Sequence, residues 1–257
     1  DVQLLNLLDY SYLYNNNPIN RIKAKLKLEN VKSKLELLKI KIKNVKDCNL
    51  KINASKIVFS EGNIHSPLMI VGDGPGKNED KNGKPFQGDS GILLNKMLNA
   101  IKIKRGNVYL TNVLNYRPLN DRKPEKSEVT RYSEFLKEHI SIINPKIIIL
   151  MGATAMMALL GNNSKISNIR GQWKDIIIKQ KSFKTIVTFH PDYLLKLPDQ
   201  KIFSWEDLKI IRKEIDKKNM LGGSTDLDIT KVIEAKCNKR NDRGGFKDGT
   251  ILIHVEE

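Results

Sequence analysis

Apolar residues recur along the chain in two rhythms. Between Ile22 and Ile40, the positions Ile22, Leu26, Leu28, Val31, Leu35 and Leu38 follow the three-to-four-residue spacing of an amphipathic helix. From Pro67 onward, short uniformly apolar runs alternate with helical stretches. Leu68-Met69-Ile70-Val71 reads as a strand ending in a Gly-Pro loop, and Ser90 to Ile101 as a helix with Ile92, Leu93, Lys96, Met97 and Ala100 spaced for one face. Val108 to Val113 is the next strand. Pro124 to Ile143 is expected to be helical, Ile147 to Leu150 a strand buried on both faces, and Ala153 to Leu160 a short helix ended by Gly161. Further strands are expected at Ile176 to Ile178 and Thr185 to Phe189, before a last helix from Trp205 to Ile215.

Strand and helix alternate, so parallel pairing with right-handed crossovers is the economical topology. Ligands in such sheets sit beyond the carboxyl ends of the strands. Three of those ends carry polar residues: Gly72-Asp73, Asn112 and His190.

Composition narrows the picture only partly. Lys and Arg number 45 against 29 Asp and Glu, a formal charge of +16. That surplus fits a polyanionic partner such as nucleic acid, but also a chain-wide bias toward Lys, Ile and Asn. Cys48 and Cys237 cannot form a disulfide framework, and no C-x-x-C pair occurs, so a reducing, cytoplasmic setting is expected. The longest apolar stretch, Ile147 to Leu160, is about 14 residues, too short for a bilayer span. The opening residues show no basic stretch followed by an apolar one, so no export is expected. From Asn219 the composition turns to Gly-Gly-Ser-Thr and then to mixed charge, which reads as a linker and poorly ordered tail over 219–257. At most an extra strand is expected there, at Thr250 to Val255.

The loop Gly72-Asp73-Gly74-Pro75-Gly76-Lys77-Asn78-Glu79-Asp80 is the most informative single feature. Its glycines permit close backbone approach to a flat or anionic group. A phosphate-cradling loop fits poorly, because Val71 stands where that motif needs Gly and Asn78 where it needs Ser or Thr. A dinucleotide fingerprint is interrupted by Pro75, and the following clear helix starts only near Ser90. Two carboxylates remain, Asp73 and Glu79, ahead of Pro85-Phe86; a turn with a helix cap is their bland alternative. Near the far end of the domain, Thr188-Phe189-His190-Pro191-Asp192-Tyr193-Leu194-Leu195 sets a histidine directly after a strand.

Together these pieces resemble the family-4 type of the uracil-DNA glycosylase superfamily. The matching residues are Gly72-Asp73-Gly74-Pro75-Gly76, Glu79-Asp80, Gly83-Lys84-Pro85-Phe86, Gly88, Ser90-Gly91, Leu93-Leu94, Thr111-Asn112-Val113, Arg117-Pro118, Asp121-Arg122 and His190-Pro191-Asp192-Tyr193-Leu194-Leu195. Each is weak alone; their order and spacing over about residues 45 to 217 make the resemblance strong. The resemblance implies a monofunctional hydrolase that removes uracil from DNA, the first step of base-excision repair. It makes Phe86 the floor under a flipped-out uracil and Asn112 the reader of the base edge, with Gly74 beside them. His190 is implied to donate to the anion developing at uracil O2. Asp73 is the first candidate to orient the attacking water and Glu79 the second. Leu194 and Leu195 resemble an apolar wedge that fills the gap left by the base, with ordinary packing as the alternative. Arg117, Arg122 and Lys196 would hold flanking phosphates, unless each is simply a solvated surface residue.

The sequence departs from the family in two places. Asp73 stands where the family usually has Glu, which withdraws the carboxylate by about one C–C bond. Family-4 proteins typically hold a four-iron cluster on four cysteines, but only Cys48 falls at such a position; Val45, Tyr116 and Tyr132 occupy the others. No cluster and no other cofactor or metal is therefore expected, with Tyr116 and Tyr132 packed in its place. The expected fold is a three-layer α/β/α sandwich around a short, mainly parallel sheet. Residues 1–44 would form a helical extension, 45–218 the catalytic domain and 219–257 the tail. The expected partner is uracil-containing DNA, not a membrane, and the expected state is a monomer. The alternatives are a DNA-binding relative that has lost turnover and, from a different class, nucleotide hydrolysis at the glycine loop.

Overall fold

The structure, a computed structural model, describes residues 21–46, 48–161, 165–218 and 220. The first twenty residues of the expected extension, Cys237 and the expected strand at Thr250 to Val255 lie outside the described residues. The elements run α1 (Arg21–Lys43), α2 (Asn49–Ile52), β1 (Ser60–Gly62), β2 (Leu68–Gly72), α3 (Lys77–Asn82), α4 (Gly88–Ala100) and β3 (Tyr109–Asn112). They continue with α5 (Lys126–Ile143), β4 (Ile147–Met151), α6 (Ala153–Leu160), α7 (Ile166–Ile169), β5 (Trp173–Ile178), β6 (Lys181–Thr188), α8 (Pro191–Lys196) and α9 (Lys201–Lys217).

One sheet has the order β1-β3-β2-β4-β6-β5. Its four central strands, β3, β2, β4 and β6, are parallel, and the two edges are antiparallel. Every residue of β2 and β4 is buried, which explains their unbroken apolar runs: a strand covered on both faces has no polar side. Alternation along each strand still sorts the residues by face. Met69, Val71, Ile148 and Leu150 pack with Leu35, Leu38, Ile42, Leu136 and Ile140 of α1 and α5. Leu68, Ile70, Ile147, Ile149 and Met151 pack with Leu94, Leu98, Leu208, Ile211 and Ile215 of α4 and α9. The result is the expected three-layer α/β/α sandwich.

Two features differ from the sequence reading. Helix α1 is not an appendage, because Leu35, Leu38 and Ile42 sit in the same core as the sheet, and Lys41 Nζ lies 2.7 Å from Glu138 of α5. Strand β5 is longer than expected and forms a hairpin with β6. Its turn, Lys179-Gln180, has φ of 47° and 64°, the paired left-handed conformation that matches strand twist. The usual Asn-Gly signal for such a turn is absent, so the sequence did not announce it. Among the described residues, no helix is long and apolar enough to cross a membrane.

The sheet order places the site. Chain progression goes from β2 outward to β3, then returns across β2 to β4 on its other side. Loops after β2 and β4 therefore diverge, leaving the crevice at a topological switch point where such sheets bind ligands.

Candidate active site

Four parallel strand ends open onto this crevice: Gly72 of β2, Asn112 of β3, Met151 of β4 and Thr188 of β6. The first of these is the hub. A Cβ built on Gly72 would lie 2.5 Å from Asn112 Oδ1, 2.8 Å from Phe86 Cζ and 3.3 Å from His190 Nε2. Three residues far apart in sequence thus converge on one glycine, which is needed for space. The Phe86 and His190 rings stack with centroids 5.6 Å apart and planes 20° from parallel.

His190 is fixed from both ends. It is the N-cap of α8, with Pro191 at the first helical position, whose missing N–H costs nothing there. Its Nδ1 accepts a 3.2 Å hydrogen bond from the backbone N–H of Asp192. The proton of the neutral ring is therefore assigned to Nε2, the nitrogen facing Gly72. A second buried histidine, His139, is 2.7 Å from Tyr109 OH and stacks on Phe59, away from these strand ends. Burial pushes its pKa down to about 3, so it is a neutral core residue.

Asp73 follows Gly72 and reaches across the switch point. Its Oδ1 accepts a 2.8 Å hydrogen bond from the N–H of Ala155, in the first turn of α6. Gly152 makes this possible. It has φ of 113°, and a Cβ there would lie 2.3 Å from Asp73 Oδ2. Burial raises the Asp73 carboxyl above its ordinary value, against the opposing pull of His190 and of the Ala155 and Thr154 N–H groups.

Glu79 sits differently. It is buried, with Oε2 accepting from Gly76 N at 3.1 Å and Oε1 from Gln87 N at 3.0 Å and Ser90 Oγ at 3.4 Å. Its carboxylate braces the glycine loop against the start of α4. At Gly74 the three atoms nearest to an added Cβ all belong to Leu114, from 3.4 Å outward. Gly72 is the tight position. Sequence reading gave Gly72, Gly152 and Arg105 no individual role; for Gly152, its place directly after a buried strand was an available signal.

A sequence model described as the uracil DNA glycosylase superfamily matches residues 59–209, spanning β1 through the first half of α9 and hence every residue converging on Gly72. The chain belongs to this superfamily. It is 39% identical over 163 residues to a Thermotoga maritima protein named type-4 uracil-DNA glycosylase, covering 63% of this chain and 83% of the relative. A Sulfurisphaera tokodaii protein of the same name is 37% identical over 187 residues, 70% of this chain and 84% of the relative. A third, from Archaeoglobus fulgidus, is 32% identical over 181 residues, 69% and 91% of the two chains.

Within the superfamily framework, the residues expected to face DNA divide. Of the two wedge candidates, Leu194 is 1% exposed and packs into the core on the α4 and α9 side. Tyr193, Leu195 and Leu197 are the exposed apolar residues of this segment. Arg117 is not an unpaired cation either, since Nε and Nη2 each lie 2.7 Å from the Asp121 carboxylate. Arg122 likewise grips Glu128, at 2.9 and 2.6 Å. Lys196 is exposed. The Asp121 carboxyl is held low, first by the Arg117 hydrogen bond and further by the charges of Arg117, Lys196 and Lys77.

The residues at the family's cluster positions do not fit an iron-sulfur cluster. Cys48 Sγ is 3.3 Å from Tyr132 OH, and the Tyr132 ring is fully buried. Tyr116 is buried beside them. Burial raises both phenols, and the Cys48 neighbour raises them further, so neither is a ready anionic ligand. One thiol and two protonated phenols cannot replace four thiolates. Among the described residues, no group of three or more His, Cys, Asp or Glu side chains is placed to hold a metal ion.

Proposed function

We propose that this chain is a uracil-DNA glycosylase, hydrolysing the N-glycosidic bond of a deoxyuridine swung out of DNA. The observation that carries the reading is the convergence of Phe86, Asn112 and His190 on Gly72 within a superfamily fold. The names of the similar proteins support the substrate.

In this reading, the extruded uracil stacks on Phe86, and the Asn112 carboxamide pairs with its edge, offering a donor and an acceptor that cytosine would not match in the same orientation. Bond cleavage leaves positive charge on the sugar and negative charge on the base. The Nε2–H of His190 donates to the oxygen where that anion develops, a contribution of about 3 kcal/mol for one well-placed donor. Water adds to the sugar carbon as the carbon–nitrogen bond breaks; its proton leaves to solvent or a carboxylate, and uracil departs. Asp73, with Oδ1 tied to Ala155, orients that water through Oδ2. Glu79, committed to Gly76 of the loop and to Gln87 and Ser90 at the start of α4, braces the site instead.

Lys196, with Lys77 and Arg117, meets flanking phosphates, and Arg122 contributes if it exchanges its Glu128 partner for a phosphate. Leu195 takes the place of the extruded base. The reaction needs no cluster and no metal. Helices α1 to α9 with the sheet form one catalytic unit acting as a monomer, in a reducing, cytoplasmic compartment.

The test is single-turnover cleavage of a labelled oligonucleotide carrying one deoxyuridine, in EDTA, with alkali added to break abasic sites. Alkali-dependent product from the uracil strand and none from a thymine control is expected. DNA binding without product would instead identify a binding protein that has lost turnover.

A further inference from the structure

The platform residue Phe86 is held in an unfavourable backbone conformation. Its φ is 52°, in the left-handed region that non-glycine residues avoid. Its carbonyl lies against α4 so closely that a Cβ on Gly91 would be 2.0 Å from Phe86 O. Such a conformation persists only where the surroundings over-determine it.

The restraint comes from Arg105, between α4 and β3. Its Nη2 donates to Pro85 O at 3.0 Å and Phe86 O at 3.2 Å, and its Nη1 to Asn95 Oδ1 of α4 at 3.2 Å. Glu61 of the edge strand β1 accepts from the same Nη2 at 2.8 Å and from Nε at 3.4 Å. Glu61 also accepts from Gln87 Nε2 at 3.2 Å, which in turn donates to Pro85 O at 3.1 Å and Phe86 O at 3.4 Å. Both carbonyls flanking the platform are therefore gripped by donors anchored on one carboxylate. The contacts made to Phe86 and Pro85 all go to their backbone carbonyls, leaving the ring for the crevice.

We infer that Arg105, oriented by Glu61, is a positioning residue that sets the Phe86 ring for the base. The inference deepens the proposed activity and rests on Phe86 being the stacking platform. The planar fork of arginine reaches two carbonyls, a carboxylate and an amide at once; a lysine ammonium in its place cannot span them. Without the clamp, Phe86 relaxes toward negative φ and its ring leaves the parallel arrangement with His190.

The experiment is a double-mutant cycle on Arg105→Gln and Phe86→Ala, read by single-turnover cleavage of the deoxyuridine oligonucleotide, alongside amide hydrogen exchange over residues 83–91. Arg105→Gln alone is expected to slow cleavage about tenfold, with DNA affinity unchanged, and Arg105→Lys not to restore it. In the Phe86→Ala background, Arg105→Gln should add less than about twofold, because the residue acts through the ring already removed. Exchange over 83–91 should quicken in Arg105→Gln while the rest of the chain stays protected. If Arg105→Gln does not fold, Glu61→Gln is read through the same cycle. Losses that multiply, or unchanged exchange over 83–91, would overturn the inference. A wild-type chain that leaves deoxyuridine intact would defeat the proposed activity, while the exchange measurement would still decide whether the clamp exists.

Discussion

The carboxylate of Asp73 accepts a 2.8 Å hydrogen bond from the backbone N–H of Ala155, so the residue after one strand caps the helix after its neighbour. This links the proposed water-orienting group to the switch point itself. It also gives the group a cost, because burial raises the carboxyl above its usual value near 3.8. A carboxyl raised in the folded state stabilises the fold only while protonated, and that contribution is lost as pH rises through the folded pKa. Asp73→Asn keeps an oxygen for Ala155 and removes the buried charge. Its melting temperature should exceed that of the wild type at neutral pH, with the gain disappearing near pH 3.8, while cleavage falls at least about tenfold. The acid limb of the wild-type rate profile should lie above the ordinary carboxylate range. A melting temperature below wild type at pH 7 would contradict the cost assigned to this charge.

His190→Ala should slow single-turnover cleavage at least about tenfold and leave DNA affinity nearly unchanged, since the donor acts on charge present only in the transition state. Rate and equilibrium binding are measured on the same oligonucleotide. Equal losses in both would make His190 a binding group.

The two neighbouring glycines should behave oppositely. Gly72→Ala puts a methyl among Asn112, Phe86 and His190 and should reduce cleavage by about a hundredfold or more. At Gly74→Ala the nearest atoms to the methyl are those of Leu114, at 3.4 Å and beyond, and most of the rate should be retained. Comparable rates for the two variants would remove Gly72 from the centre of the site.

Leu194 and Leu195, adjacent in sequence, should separate by assay. Leu194→Ala empties a core position and should lower stability by about 2–5 kcal/mol in denaturant unfolding. Leu195→Ala, at a residue 40% exposed, should leave stability within about 0.5 kcal/mol and weaken cleavage of duplex substrate. Reversed effects would return the wedge to Leu194.

Purified protein should contain no stoichiometric iron, and Cys48→Ser should retain cleavage, because the Cys48–Tyr132 contact serves packing alone. Metal analysis and the cleavage assay check these together. Iron approaching four atoms per chain would refute the cluster-free reading.

Much of this molecule was legible in one dimension. Continuous apolar runs such as Ile147 to Leu150 announce strands covered on both sides, since burial of both faces removes the need for alternation. Alternation of such strands with helices implied a parallel sheet and a site at its carboxyl edge. The order of short motifs carried the family resemblance and brought Phe86, Asn112 and His190 forward. These signals are local, or depend only on order along the chain. What the tertiary structure decided depends on which distant segments meet. Glu79 and Asp73 are both loop carboxylates in the sequence, yet one ties the Gly76 N–H to that of Gln87 at the start of α4 and the other crosses to α6. Leu194 and Leu195 are identical in type and separated by the turn of α8, which faces one into the core and the other outward. Arg105 carries no motif; it becomes a clamp only when β1 brings Glu61 beside the carbonyl of Phe86. Side-chain periodicity fixes elements because it acts between near neighbours. Hydrogen-bond partners and close approaches are fixed only when the packed layers bring remote residues within about 3 Å.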